Sequence, residues 1–290
     1  MLIDYHMHTR LTDGTGEPAD YAAVAVKRGL DEIGFADHAP LGSPPVAQAS
    51  LPVDLSPPAV AQASLPVDLS PPVPFSTDWH MKLPDLDTYV GWVRDAQKKF
   101  PELKIKLGLE VDFIRGREAW IRQLAAMHPW DLFLGSIHYL GDWPVDRSAD
   151  DWKDADVDAR WREYFDLWTQ AARSRLFDSL AHPDLPKKFN IRPTRDFTAV
   201  YENALQVVAQ SGVAIEISTA GLRKPCREIY PSEPFLRIAW RCNVPITFGS
   251  DAHIPDDVGA DFNQAVALAR SCGYDRQCRF TQRRRDLVPL

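Results

Sequence analysis

Short apolar runs alternate along this chain with segments whose apolar residues recur at helical spacing. The apolar runs are Leu2–His8, Glu32–Asp37, Ile105–Val111, Leu132–His138, Ser179–His182, Val213–Ser218 and Pro245–Ser250. Amphipathic stretches lie among them at Tyr21–Arg28, Leu86–Lys99, Arg117–Met127, Ala159–Arg173, Phe197–Gln210, Pro234–Arg241 and Asp261–Ser271. In the fifth stretch Leu205, Val208 and Ala209 share one helical face. Apolar strands interleaved with helices predict an α/β fold with a parallel sheet covered on both sides. The seven β/α units read here fit a TIM-like barrel one unit short of the usual eight. A doubly wound open sheet is the alternative. The barrel is preferred because potential ligands end nearly every strand, whereas an open sheet gathers its site at the strand-order switch.

Those strand ends carry His6 with His8, Asp37 with His38, Glu110, His138, His182, and Asp251 with His253, and Asp13 follows in the first loop. Imidazole and carboxylate are the donors that borderline and hard divalent cations prefer. Residues at i and i+2 on a strand point to one face, so His6 and His8 can chelate one ion. Asp251 and His253 repeat that spacing on the last strand, and in a closed barrel the first and last strands are neighbours. Glu110 ends an apolar strand, where a carboxylate needs a cation or hydrogen-bond donors, and its two oxygens can bridge two ions. Each histidine alone reads as readily as a core or surface residue; their repetition at successive strand ends is what favours metal. His80 and His128 lie off the strand ends, and His128 reads as a helix-terminal surface residue.

One region breaks the alternation. Val46–Pro58 returns word for word as Val60–Pro72, separated only by Ala59. Frequent proline without apolar periodicity predicts an extended loop, a Pro-rich tandem duplication at about 43–74 inserted into a single domain spanning 1–290. The insert follows His38, so a lid is the functional reading, with Phe75–Leu83, where Trp79, His80 and Met81 cluster, as the likelier covering segment. Net charge is −7, which argues against nucleic acid as a partner while leaving room for a local phosphate site. Arg283-Arg284-Arg285 reads as a solvated tail. No apolar run approaches the ~20 residues of a membrane span, and the N-terminus lacks signal-peptide character. Cys226, Cys242, Cys272 and Cys278 form no C-x-x-C pair, which predicts thiols in a reducing cytoplasm.

Several words in the chain bear a family resemblance: Asp4-Tyr5-His6-Met7-His8-Thr9, Phe35-Ala36-Asp37-His38-Ala39-Pro40, Gly108-Leu109-Glu110-Val111-Asp112-Phe113 and Gly249-Ser250-Asp251-Ala252-His253. With them the chain resembles the PHP (polymerase and histidinol phosphatase) superfamily of metal-dependent phosphoesterases over nearly its whole length outside the insert. Ser136-Ile137-His138-Tyr139-Leu140, Leu185-Pro186-Lys187-Lys188-Phe189 and Thr219-Ala220-Gly221-Leu222-Arg223 are more particular to its histidinol-phosphatase branch. The resemblance implies a distorted (βα)7 barrel with two or three divalent ions, zinc, manganese or iron, at the C-terminal ends of the strands. It implies that His6, His8, Glu110 and Asp251 hold one ion, and that Glu110 bridges to a second completed by His138 and His182. A third would rest on His38, His253 and a ligand from the first loop. The chain departs from the family there. The usual ligand position, eight residues after the first histidine, is Gly14. A shortened loop presents Asp13 or Glu17 instead; Asp13 is favoured, with an ordinary Asp-Gly turn as the alternative.

The implied reaction is hydrolysis of a small phosphomonoester, L-histidinol phosphate, in histidine biosynthesis, by in-line attack of a metal-bridging hydroxide held by Glu110. Arg223 is a candidate for gripping the phosphate through a bidentate fork. Lys187, Lys188 and His80 join it as candidate substrate contacts. Three rivals remain: a phosphoesterase for another monoester, a metal-dependent amidohydrolase, and a metal-binding relative without activity. No membrane partner is expected, and oligomeric state is not legible.

Overall fold

The structure, a computed structural model, describes residues 1–42 and 78–290. The duplicated insert at 43–74, and with it the proposed lid role of that segment, lies outside the described residues. The strands are β1 (Ile3–Asp4), β2 (Glu32–Phe35), β3 (Lys104–Asp112), β4 (Leu132–Ser136), β5 (Tyr139–Leu140), β6 (Trp143–Pro144), β7 (Ser179–Leu180), β8 (Ala214–Ser218), β9 (Ile246–Gly249), β10 (Arg276–Thr281) and β11 (Arg284–Pro289). Seven of them form one parallel sheet in the order β1-β2-β3-β4-β7-β8-β9. The ring closes because Tyr5 N donates to Phe248 O (3.0 Å), Ala252 N to His6 O (3.1 Å) and His8 N to Ala252 O (2.9 Å). The arrangement is the distorted seven-stranded barrel, and not the open sheet.

Among the described residues seven α-helices cover the ring: α1 (Pro18–Arg28), α2 (Leu86–Lys99), α3 (Glu118–Met127), α4 (Val157–Ser174), α5 (Thr198–Ser211), α6 (Glu233–Arg241) and α7 (Phe262–Cys272). Their limits lie within a few residues of the periodic stretches. Capping accounts for the edges: α1 begins at Pro18 behind a Glu17–Asp20 capping box and stops at Gly29, whose φ of 72° is left-handed. Asp156 accepts from Ala159 N (3.0 Å) at the start of α4, which buries Trp161, Phe165, Trp168 and Ala172 along one stripe. No helix among the described residues is long and apolar enough to cross a membrane.

β1 and β7 keep only two residues each of their apolar runs. Ile3 and Tyr5 join the buried cluster inside the ring while His6, the next residue, points at Glu110 and Glu216, so strict alternation fails after Tyr5. The chain nevertheless stays bonded on both sides to His8. At β7 the ladder stops because His182 turns to a φ of 24°.

The terminal arginine run is not a solvated tail. β10 and β11 pair antiparallel beneath the barrel, and Cys278, Phe280 and Val288 fill its lower mouth against Ile3, Tyr5, Leu132, Leu134 and Ala214. Phe280 N donates to Tyr5 OH (3.0 Å), and Tyr5 OH donates to Glu32 Oε1 (2.5 Å). Arg283 Nε donates to Asp178 Oδ2 (2.7 Å) and Arg285 Nη1 to Gly212 O (2.7 Å), so two of the three arginines are tied to the body.

Candidate metal centre

The filled lower mouth leaves the opposite rim for chemistry. Glu110, buried on the inner face of β3, stands in the middle of it. Its Oε1 lies 2.8 Å from His182 Nε2 and 3.6 Å from His138 Nε2. Its Oε2 lies 2.9 Å from His38 Nδ1, 3.3 Å from His6 Nε2 and 3.6 Å from His8 Nε2. Asp251 Oδ1 is 3.2 Å from His8 Nε2 and 3.5 Å from His253 Nδ1. Asp13 reaches the same group after all, 3.0 Å from His253 Nε2 and 3.6 Å from His38 Nε2. A Cβ on Gly14 would meet His8 O at 1.9 Å, so the tight turn that delivers Asp13 requires glycine there. Glu17 instead pairs with the exposed Arg10.

All nine expected ligands therefore meet, although the ends of six strands and the first loop supply them. Donor atoms within 4.8 Å of one another form four overlapping sets: His6, His8 and Asp251; His6, Glu110 and His182; His38, Glu110 and His138; and His8, Asp13, His38 and His253. The grouping is more interleaved than the implied partition into ions, since His38 also faces Glu110 and His6 is shared.

Does this set fit cations? His6 Nε2, both nitrogens of His8 and His182 Nδ1 are buried without a hydrogen-bond partner. An unsatisfied buried polar atom costs roughly 1–3 kcal/mol, which a coordinated ion would remove. Burial alone would raise Glu110, but the His6, His38 and His138 charges outweigh it and hold the carboxyl well below its ordinary range. Burial, aided by the His38 and His253 charges, lowers His8 to about 3, leaving a neutral imidazole of the kind that coordinates. The donors fit two or three divalent ions.

Carboxylates behind the imidazoles were not singled out in the sequence. Glu216 Oε1 is 2.8 Å from His6 Nδ1, and its Oε2 accepts from His182 N (2.8 Å). Asp112 Oδ1 is 3.0 Å from His138 Nδ1 and accepts from His138 N (3.2 Å). Such partners fix the tautomer and aim of a ligating ring. A signal existed: Asp112 is two residues from Glu110 on one strand face, and Glu216 interrupts an otherwise apolar strand. Gly249 makes room for this layer, because a Cβ there would meet Glu216 Oε1 at 2.0 Å and His6 Cβ at 2.7 Å. Asp37, counted among the potential metal stations, is not at the centre. It accepts from Thr9 N (2.5 Å), Thr9 Oγ1 (2.6 Å) and Thr12 Oγ1 (2.6 Å), and so anchors the first loop.

A cavity of about 910 Å³ opens over the cluster. Trp79 stands edge-on to His38 (4.2 Å, 83°) and donates through Nε1 to Tyr139 OH (3.1 Å), making an aromatic wall. Lys188 lines the cavity, with Nζ donating to Asp146 Oδ2 (2.8 Å), and Lys224 lines it too. Three expected substrate contacts do not line this cavity. Lys187 is fully buried between Asp184 (3.0 Å) and Glu228 (3.3 Å) and donates to Ile229 O, because the turn at 185–189 sends adjacent lysines to opposite sides. Arg223 bonds Asp257 (3.0 Å) and Ser250 O (2.5 Å), keeps Nη1 buried without a partner, and is not among the residues lining this cavity. His80 is buried against Asp112 (2.9 Å) beneath that wall.

Comparison with known proteins agrees with this geometry. The family model described as PHP domain matches residues 4–220. The chain belongs to the PHP domain family. It is 36% identical to the probable histidinol-phosphatase of Deinococcus radiodurans, covering 94% of each chain. It is 27% identical to the histidinol-phosphatase of Bacillus subtilis, over 88% of this chain and 95% of that one. Among solved structures, its fold is similar to the histidinol phosphate phosphatase of Lactococcus lactis complexed with zinc, L-histidinol and phosphate, with a TM-score of 0.75, 21% identity and 98% of both chains covered.

Proposed function

We propose that this protein is a metal-dependent histidinol-phosphatase, releasing L-histidinol and inorganic phosphate from L-histidinol phosphate. The observation that carries the reading is the relationship to the Deinococcus radiodurans protein across 94% of both chains. The buried His/Asp/Glu cluster under an open cavity supports the same chemistry.

His6, His8, Glu110 and Asp251, then Glu110, His138 and His182, then Asp13, His38 and His253, would hold the ions; zinc, manganese and iron all suit these donors. Divalent ions bound there supply an activated water and neutralise charge on phosphoryl oxygens. The rest falls to the chain's own residues. Glu110 places negative charge between the imidazole sets and keeps them converged. Glu216 and Asp112 hold the protons of His6 and His138 on Nδ1, leaving Nε2 free. Lys188 and Lys224 set positive charge on the wall toward the ester's anionic end. Trp79 and Tyr139 offer an aromatic surface that suits an imidazole. Asp142, exposed on the cavity wall, makes no side-chain ion pair among the described residues and suits the substrate's ammonium. A single domain over 1–290 and a cytoplasmic setting are part of the same reading.

The test is phosphate release from L-histidinol phosphate by metal-replete and chelator-treated protein, beside a nucleoside monophosphate and p-nitrophenyl phosphate. Chelator-sensitive release with marked preference for histidinol phosphate is expected. Equal turnover of all esters would overturn the substrate assignment, and no turnover despite bound metal would overturn the phosphatase.

A further inference from the structure

His80 was expected to touch substrate, yet its side chain is 2% exposed and does not line the cavity. Its Nε2 lies 2.9 Å from Asp112 Oδ2. The other oxygen of Asp112 takes both the ring Nδ1 (3.0 Å) and the backbone N (3.2 Å) of His138. His138 Nε2 in turn points at Glu110 Oε1, 3.6 Å away. These side chains form one buried line: His80, Asp112, His138 and then the cluster.

We propose that His80 is a positioning residue that acts through Asp112 on His138, and that it ties the aromatic wall of the cavity to the cation centre. The inference rests on the metal-centre reading given above. A carboxylate bonded through only one oxygen can swing about its Cβ–Cγ bond. With His80 held on Oδ2, Asp112 must keep Oδ1 on His138. The proton of His138 then stays on Nδ1 and its Nε2 lone pair stays aimed at the cluster. Asp112 has no hydrogen to give, so His80 must be the donor, through Nε2–H. Its Nδ1, buried and without a partner, is then the bare nitrogen. Burial lowers the proton affinity of this ring, in keeping with a neutral donor.

The neighbours of His80 explain the link to the wall. Trp79 Nε1 donates to Tyr139 OH (3.1 Å), and its ring is edge-on to both His38 (4.2 Å) and His138 (5.2 Å). Met81 N donates to His38 O (3.0 Å). Three consecutive residues thus grip the cavity rim, the carboxylate behind one candidate ligand and the backbone of another. Mere packing would need none of these polar bonds.

The experiment compares His80→Phe, which keeps a ring and loses the donor, with His80→Gln, which keeps an N–H donor. Each chelator-stripped protein is titrated with zinc against a competing chelator, and its metal-free thermal unfolding is recorded. His80→Phe should weaken zinc binding about tenfold, at the lower end of what loss of an outer-shell partner costs, with His80→Gln within about threefold of wild type. Both metal-free proteins should unfold near the wild-type temperature. Wild-type affinity in His80→Phe would overturn the proposal, as would equal losses in both variants or failure of both to fold, which assign a packing role. If wild-type protein itself binds no zinc, it is the metal-centre reading that fails.

Discussion

Replacing Glu216 with glutamine tests whether a carboxylate outside the ligand set decides cation affinity. Glu216 is fully buried and takes two donors, the His6 ring Nδ1 and the His182 backbone N, each at 2.8 Å. Glutamine offers one acceptor oxygen, so one donor must face its NH2 group. The His182 N–H is fixed by the backbone, whereas the His6 ring can change tautomer. The amide oxygen therefore stays on His182 and the NH2 turns to His6 Nδ1. His6 must then carry its proton on Nε2, the atom 3.3 Å from Glu110 and 3.8 Å from Asp251. That nitrogen can no longer coordinate without giving up a bond to glutamine. Loss of such a partner costs roughly 10–100-fold in metal affinity, or about 1.4–2.7 kcal/mol. The assay is zinc titration of stripped protein against a competing chelator, with unfolding monitored to establish that the fold is retained. A folded Glu216→Gln protein that binds zinc within twofold of wild type would refute the tautomer argument.

Three further outcomes are expected. In the cation-free protein burial would lower His138, but Asp112 and Glu110 outweigh it and push the ring up to about 9. Against the same burial, the carboxylates beside His6 and His38 push those rings well above the ordinary value too, so coordination must expel protons near neutral pH and zinc affinity should rise with pH through about 9. Calorimetry in buffers of different ionisation enthalpy that detects no proton release near neutrality would contradict this. Asp142→Asn should raise KM for L-histidinol phosphate about two- to fivefold, the scale of a partly exposed ion pair, and leave p-nitrophenyl phosphate unchanged; an equal rise for both esters would remove Asp142 from ammonium recognition. Phe280→Ala should destabilise the fold by roughly 3–5 kcal/mol through the cavity left in the lower mouth of the barrel, read by denaturant unfolding, while zinc affinity holds. An unchanged midpoint would mean that the hairpin is not part of the core.

The β/α alternation, the helix limits and the strand-end position of every candidate ligand but Asp13 were legible in the chain itself, because they rest on local periodicity and capping. Leu86–Lys99 reads the same in sequence and structure. The terminal hairpin was not legible. Its two-residue turn, Gln282-Arg283, adopts φ of 49° and 61° with neither glycine nor asparagine to announce it, and the three arginines mask the inward alternation of Cys278 and Phe280. Barrel closure decided which donors share a set, since those distances depend on how β1 and β9 meet. It also decided the fates of Lys187, Arg223 and His80, polar residues whose type says what they can bond but not which way they face. A side chain's chemistry is written in its residue, whereas its partner is supplied by chain far away in sequence: Glu216 lies 210 residues from the His6 ring it orients.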